Sequence, residues 1–288
     1  MAVGVAIVVA GVLAGCDSYV GIEGTDYQRG DSDSATTQSA TSARHPAGAP
    51  RSVPEPAGES SVTVALVTDD AQATAAVGRW AADLEKLTPA ELESTCWMMA
   101  PRNVDTMYAD KSAIVAALAR PGIDNGTAIE WKSATGATAP VTVVAEHTDI
   151  ATGYACPRVY PSGTEAGFGT SGETQTADAR HIVRRYLARQ TGHPLNAADQ
   201  ESTHPVLCPT STPWDPDGTG RTARAPLATN PDKLAVATTF ADQSISSTAL
   251  NSSYLTIQAT VTAGGGQQER TYTVKATDQG YCIGDGSA

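Results

Sequence analysis

Thr148-Asp149-Ile150-Ala151-Thr152-Gly153-Tyr154-Ala155-Cys156 and Thr277-Asp278-Gln279-Gly280-Tyr281-Cys282 repeat one pattern, a Thr-Asp pair leading to Gly-Tyr and then to a cysteine. Upstream, Glu93-Ser94-Thr95 leads to Cys96, and Glu201-Ser202-Thr203 leads to Cys208. The chain therefore reads as two units, each with one cysteine near the end of its helical part and one in its last strand. Four cysteines permit three connectivities, and spacing alone does not choose among them. The duplication does, and it predicts Cys96 with Cys156 and Cys208 with Cys282. No two of these cysteines lie close enough for a zinc knuckle, so no metal is expected.

Outward from these markers, the first unit spans 61–160. Val62, Val64 and Leu66 alternate with smaller residues as an extended lead-in. Asp69 or Asp70 can cap a helix whose Val77, Trp80, Ala81, Leu84 and Leu87 recur along one face. Thr88-Pro89-Ala90-Glu91 has the form of a capping box with proline at the first helical position. A third helix is expected over 110–120, ended by Pro121-Gly122. Beyond it the period becomes two, at Ile129 and Trp131, at Val141, Val143 and Ala145, and at Tyr154, Cys156 and Arg158.

Residues 161–177 are rich in Gly, Ser, Thr and Glu and read as a linker. The second unit, 178–288, opens with a helix over 178–190 that places Ala179, Ile182, Val183, Tyr186 and Leu187 on one face. After a polar, proline-rich excursion over 209–231 come a strand near 234–240 and a terminal hairpin turning at Gly264-Gly265-Gly266. The fold class expected is α+β: two small disulfide-stapled domains, each with helices on a curved antiparallel sheet, after a disordered tether.

The amino terminus is of a different kind. Residues 1–15 are uncharged and mostly aliphatic, too short for a bilayer span of about 20 residues. They end in Leu13-Ala14-Gly15-Cys16, which resembles the lipobox of bacterial lipoproteins, although the usual basic residues ahead of the apolar run are missing. The resemblance implies a cleaved signal peptide over 1–15 and a diacylglyceryl-modified, acylated Cys16 at the mature terminus. It also implies anchoring on the extracytoplasmic face of the cell membrane, where more than one acyl chain gives stable attachment. Residues 16–60 are dominated by Ser, Thr, Ala, Gly and Pro and are expected to form a disordered tether. A flexible chain of that length has a root-mean-square span of about 35 Å. The high alanine content and the excess of Arg over Lys resemble actinobacterial coding bias. An exported chain meets an oxidising compartment, in keeping with paired cysteines.

The 288 residues carry a formal net charge of −12, which argues against nucleic acid as a partner. Only 5% are aromatic, so disulfides carry a large share of a marginal stability. The sequence has no nucleophile elbow, no His-Glu-x-x-His pair and no phosphate loop, and no cofactor is expected. His45, His147, His181, His193 and His204 read as loop or surface histidines. Trp214-Asp215-Pro216-Asp217-Gly218-Thr219-Gly220 offers two carboxylates in a glycine loop but lacks the later ligands of a calcium site, and reads as an acidic turn. Arg180, Arg184, Arg185 and Arg189 stack at helical spacing. They are candidates for binding an anion or a partner, the alternative being a solvated face that offsets acidic surroundings. Asn125-Gly126-Thr127 and Asn251-Ser252-Ser253 match glycosylation spacing, which a bacterial origin disfavours.

Helices first, then a sheet closed by a glycine-aromatic strand, resembles the nuclear-transport-factor-2-like and cystatin-like domains. That likeness implies a pocket between sheet and helices. The function expected is a noncatalytic envelope lipoprotein that binds a partner protein or small ligand; the alternative is an exported hydrolase acting on cell-wall material. A pocket containing a close polar pair, such as His147 with an acid, favours the enzyme.

Overall fold

A computed structural model describes residues 62–164 and 167–287. The signal segment, the lipidation position Cys16, His45 and the tether lie outside the described residues.

Local signals set the first helices. Helix α1, Ala71–Lys86, starts where the Asp70 carboxylate accepts the Ala73 amide at 2.9 Å. Helix α2, Pro89–Thr95, starts at a reciprocal capping box between Thr88 and Glu91. Helix α3, Pro101–Met107, was not expected: Pro101 occupies its first turn and no side chain caps it. Helix α4, Lys111–Leu118, is capped by Asp110 through the Ala113 amide at 2.9 Å.

Four strands follow: β1 Ile123–Asp124, β2 Ala128–Lys132, β3 Val141–Glu146 and β4 Arg158–Pro161. They form one antiparallel sheet in the order β1-β2-β3-β4. Trp131, Val143 and Val159 align across it, and with Ile129 and Ala145 they pack against the helices. Trp80 and Trp131 are fully buried there, and the Trp131 indole donates to the Ala65 carbonyl at 2.7 Å. The space between sheet and helices is thus filled by core, unlike the pocket that the likeness to nuclear-transport-factor-2-like domains implies. Between β3 and β4 the chain forms a short helix α5, His147–Ala151, and Tyr154 to Cys156 run as irregular backbone rather than as strand.

The second unit is built on helix α6, Glu173–Gln190, which begins inside the segment expected to be a linker. After it come a one-turn helix α7, Pro226–Thr229, and strands β5 Ala237–Phe240, β6 Ser246–Ala249, β7 Tyr254–Ala263, β8 Gly266–Thr277 and β9 Gly280–Ser287. Their order is β5-β7-β8-β9, with β6 also paired to β7. The β7–β8 hairpin turns at Gly264 and Gly265, whose φ angles of 59° and 83° suit glycine in a two-residue hairpin loop. Ala179, Ile182, Val183, Tyr186 and Leu187 of α6 cover Leu255, Ile257, Tyr272, Val274 and Ile283.

The disulfides are Cys96–Cys156 and Cys208–Cys282, with Cα separations of 5.7 and 4.7 Å. Each staples a segment near a helix or loop to its own unit's sheet region. Cys156 stands just before β4 rather than within a strand, and Cys208 lies beside β9, where its amide donates to the Ile283 carbonyl.

The expected fold class needs correction in one respect. The sheets are not curved over a pocket: both are open, and no pair in the first shows a register shift of the kind that curls a sheet. The two shifts in the second, between β5 and β7 and between β8 and β9, leave it open as well. Both sheets carry helices, in unequal number. The first has four along one face, whereas the second relies mainly on α6, which also bonds to the first unit. Asp178 accepts the Ala100 amide at 3.1 Å and pairs with Arg158, and Asn103 donates to the Thr174 carbonyl at 2.8 Å. What stands is a mixed α+β fold with two disulfides, its halves joined by buried polar contacts.

Candidate functional site

Alternation along three strands puts Ala128 and Glu130, Thr142, Val144 and Glu146, and Arg158 and Tyr160 on the sheet face away from the helices. Glu130, Val144 and Arg158 form one row across it; Ala128 pairs with Glu146, and Thr142 with Tyr160. This face, Thr142 excepted, floors a cleft of about 210 Å³. Gly167 and Phe168 form one wall, and Asp278 and Gln279, in the turn between β8 and β9, come from the second unit. Asn125, Gly126, Thr127, His147 and Thr148 complete the lining.

Burial raises the Glu146 carboxyl, a trend that nearby Arg158 opposes. Asp149, one turn further on, is pushed up to about 7 by burial and then by Glu146. Arg158 is held charged because Asp178, Tyr160 and Glu146 together outweigh its desolvation. Its guanidinium also lies 4.4 Å from the Phe168 ring centre, and Phe168 meets Tyr281 edge to face. Tyr281 in turn exchanges hydrogen bonds with both backbone groups of Gly169, which docks this part of the expected linker.

His147 Nε2 lies 3.0 Å from Asp124 Oδ1. The Gly126 amide and then His147 hold the Asp124 carboxyl below its ordinary range. Both side chains are solvent-exposed. The two lining threonine hydroxyls bond elsewhere, Thr127 to Asn125 at 3.0 Å and Thr148 to Glu146 at 3.4 Å, so neither joins His147 in a nucleophile relay.

The four arginines do not present one basic face. Arg185 is 6% exposed and, with Arg189, clamps the buried Asp199; these hydrogen bonds outweigh burial and keep the Asp199 carboxyl below its usual range. Arg184 makes a two-pronged contact with Asp242 at 3.0–3.1 Å, and Arg180 donates to Ser247 at 2.7 Å. Arg185 also lies over Trp97, which meets His204 edge to face. Arg184, Arg185 and Arg189 thus bind carboxylates of their own chain and Arg180 a hydroxyl, contacts that buttress α6.

Other motifs have local roles. Asp215 accepts the amides of Thr219 and Gly220 at 3.0 and 2.7 Å, closing an acidic turn. Asn125 and Asn251 each accept two amides downstream and so shape turns. Among the described residues, no three His, Cys, Asp or Glu side chains are grouped to hold a metal ion, and no helix is long and apolar enough to cross a membrane.

Sequence reasoning placed Glu146 and His147 near a strand end but missed Arg158, Tyr160, Phe168 and Asp278 as partners. The available signal was the polar residues that share a face at alternate positions, Thr142 and Glu146 on β3 and Arg158 on β4. The comparisons add no family assignment: no protein-family model, curated protein or solved structure matches this chain.

Proposed function

We propose that this chain is an exported lipoprotein, anchored through Cys16 on the outer face of the cell membrane, that binds a small polar ligand without transforming it. The observation carrying the binding reading is the cleft between the first sheet and the β8–β9 turn, floored by Glu146 and Tyr160 on the sheet face away from the helices. The leader and lipobox support export, and two buried disulfides suit an oxidising compartment.

Native mass spectrometry of protein released gently from its own membrane tests both parts. It should report a diacylated Cys16 terminus and a co-purified small molecule that is lost when Val144→Trp fills the floor of the cleft. An unmodified thiol rejects the anchor, and an unchanged ligand load in the folded variant rejects the cleft. The exposed His147–Asp124 pair favours a hydrolase as second reading. Binding is preferred because neither lining threonine hydroxyl bonds to His147.

A further inference from the structure

A charge without a counter-charge lies inside the second unit, away from the cleft. Arg270 and Tyr272 stand two residues apart on β8, hence on one face of the sheet, and are 1% and 0% exposed. A guanidinium stays protonated when buried, so Arg270 cannot shed its charge. Its partners are neutral. Nη2 donates to the Ala235 carbonyl at 2.6 Å, and Gln268, with its amide oxygen turned to the guanidinium, accepts from Nε at 3.0 Å and from Nη2 at 2.9 Å. Nη1 has no hydrogen-bond partner, and Arg270 forms no ion pair among the described residues. The buried Arg185, by contrast, meets Asp199, and Arg158 meets Asp178. A buried cation that lacks an anion is a costly arrangement, and a bound anion would relieve it.

A second observation is the neighbouring hydroxyl. Burial raises the Tyr272 phenol and the guanidinium of Arg270 opposes that rise, so the two groups are close, yet the hydroxyl too has no hydrogen-bond partner. Two adjacent buried donors therefore lack an acceptor, and one of them is charged. A single positive charge is balanced by a monoanion, whereas a dianion would leave an excess charge in the same low-dielectric place. A carboxylate carries its one charge on two accepting oxygens, enough for both donors. The cover over the guanidinium is thin: the Ala235 carbonyl that it holds belongs to a stretch in which Ala235 and Val236 are both exposed.

We infer that the second unit binds a small monocarboxylate at Arg270, its oxygens accepting from Nη1 and from the Tyr272 hydroxyl.

Acetate is the probe. The denaturant midpoint of the disulfide-intact chain is followed in sodium acetate, chloride and sulfate at matched ionic strength, for the parent and for Arg270→Met. General salt effects are shared by the two chains, so the difference between their responses reports the site. The parent should gain in midpoint with acetate, by equal steps per tenfold rise once the site fills, and Arg270→Met should lack this gain. With little anion present the variant should be at least as stable as the parent, because an unbalanced charge is gone. The backbone amides of Ala235, Val236 and Gly286 should shift with acetate in the parent. Tyr272→Phe should bind acetate about three- to tenfold more weakly, the worth of one hydrogen bond. Equal responses of parent and Arg270→Met to every salt would overturn the inference. A site-specific response to chloride or sulfate as large as that to acetate rejects the carboxylate. Should Arg270→Met not fold, the amides decide: no shift at tens of millimolar acetate, or unchanged affinity in Tyr272→Phe, sinks the assignment.

Discussion

Asp178 on α6 pairs with Arg158 on β4 while its other oxygen takes the Ala100 amide, so one buried carboxylate ties the two sheets and the α2–α3 junction together. Removing it leaves Arg158 buried without its partner. Asp178→Ala should therefore lower the unfolding free energy by roughly 3–5 kcal/mol, with Asp178→Asn costing less because the amide bond can persist. Urea unfolding followed by tryptophan fluorescence measures this. Separate transitions for the two halves of the unmodified chain would contradict the coupling.

Each disulfide closes a long loop, with sequence separations of 60 and 74. On the chain-entropy account, replacing either pair by serine should cost about 4 kcal/mol. Denaturant midpoints for Cys96→Ser/Cys156→Ser and for Cys208→Ser/Cys282→Ser check it. An unchanged midpoint in either would show that the bridge contributes little.

Asp149 should make stability fall as pH rises. Its carboxyl titrates near 7 in the folded chain, against about 4 when unfolded. Below the lower value both states hold the proton. Between the two values only the unfolded state releases it, so stability is lost through that window and stays lost above it. Asp149→Asn should unfold at higher denaturant than the parent near pH 8, with little difference near pH 4. The opposite ranking would overturn the assignment.

His181 acts with the opposite sign. Burial lowers it to about 3, and its Nε2 lies 2.8 Å from the Trp97 carbonyl. An unfolded histidine gains its proton near 6.5 while the buried one stays neutral, so this contribution is complete above that pH and is lost as pH falls toward 3. His181→Gln keeps a donor for Trp97 and should flatten the acid limb of the stability curve. Parallel curves for parent and variant would refute it.

Gly284 lies under Trp214, and a Cβ there would stand 2.2 Å from the indole ring. Trp214 also meets Tyr254 edge to face at 5.0 Å, which fixes the ring against the sheet. Gly284→Ala should cost about 1–3 kcal/mol and shift the Trp214 emission. Unchanged stability and emission would show that the ring has room to move.

The chain by itself determined the capping box at Thr88 and a cap at Asp69 or Asp70, the Gly264-Gly265 hairpin and the pairing of its cysteines. The first two kinds of signal depend on hydrogen bonds and torsion angles within a few residues. The third was readable because the residues leading into the cysteines recur, Glu-Ser-Thr before the first of each pair and Thr-Asp then Gly-Tyr before the second. Tertiary structure alone decided that α6 begins at Glu173 and joins both units, that the sheets stay open, and that the arginines turn inward. Arg185 meets an acid 14 residues away and Arg184 one 58 away, separations at which helical periodicity carries no information about the partner. The cleft is of the same kind: β3 and β4 supplied a polar face, but only folding brought Phe168 and Asp278 against it to enclose a volume.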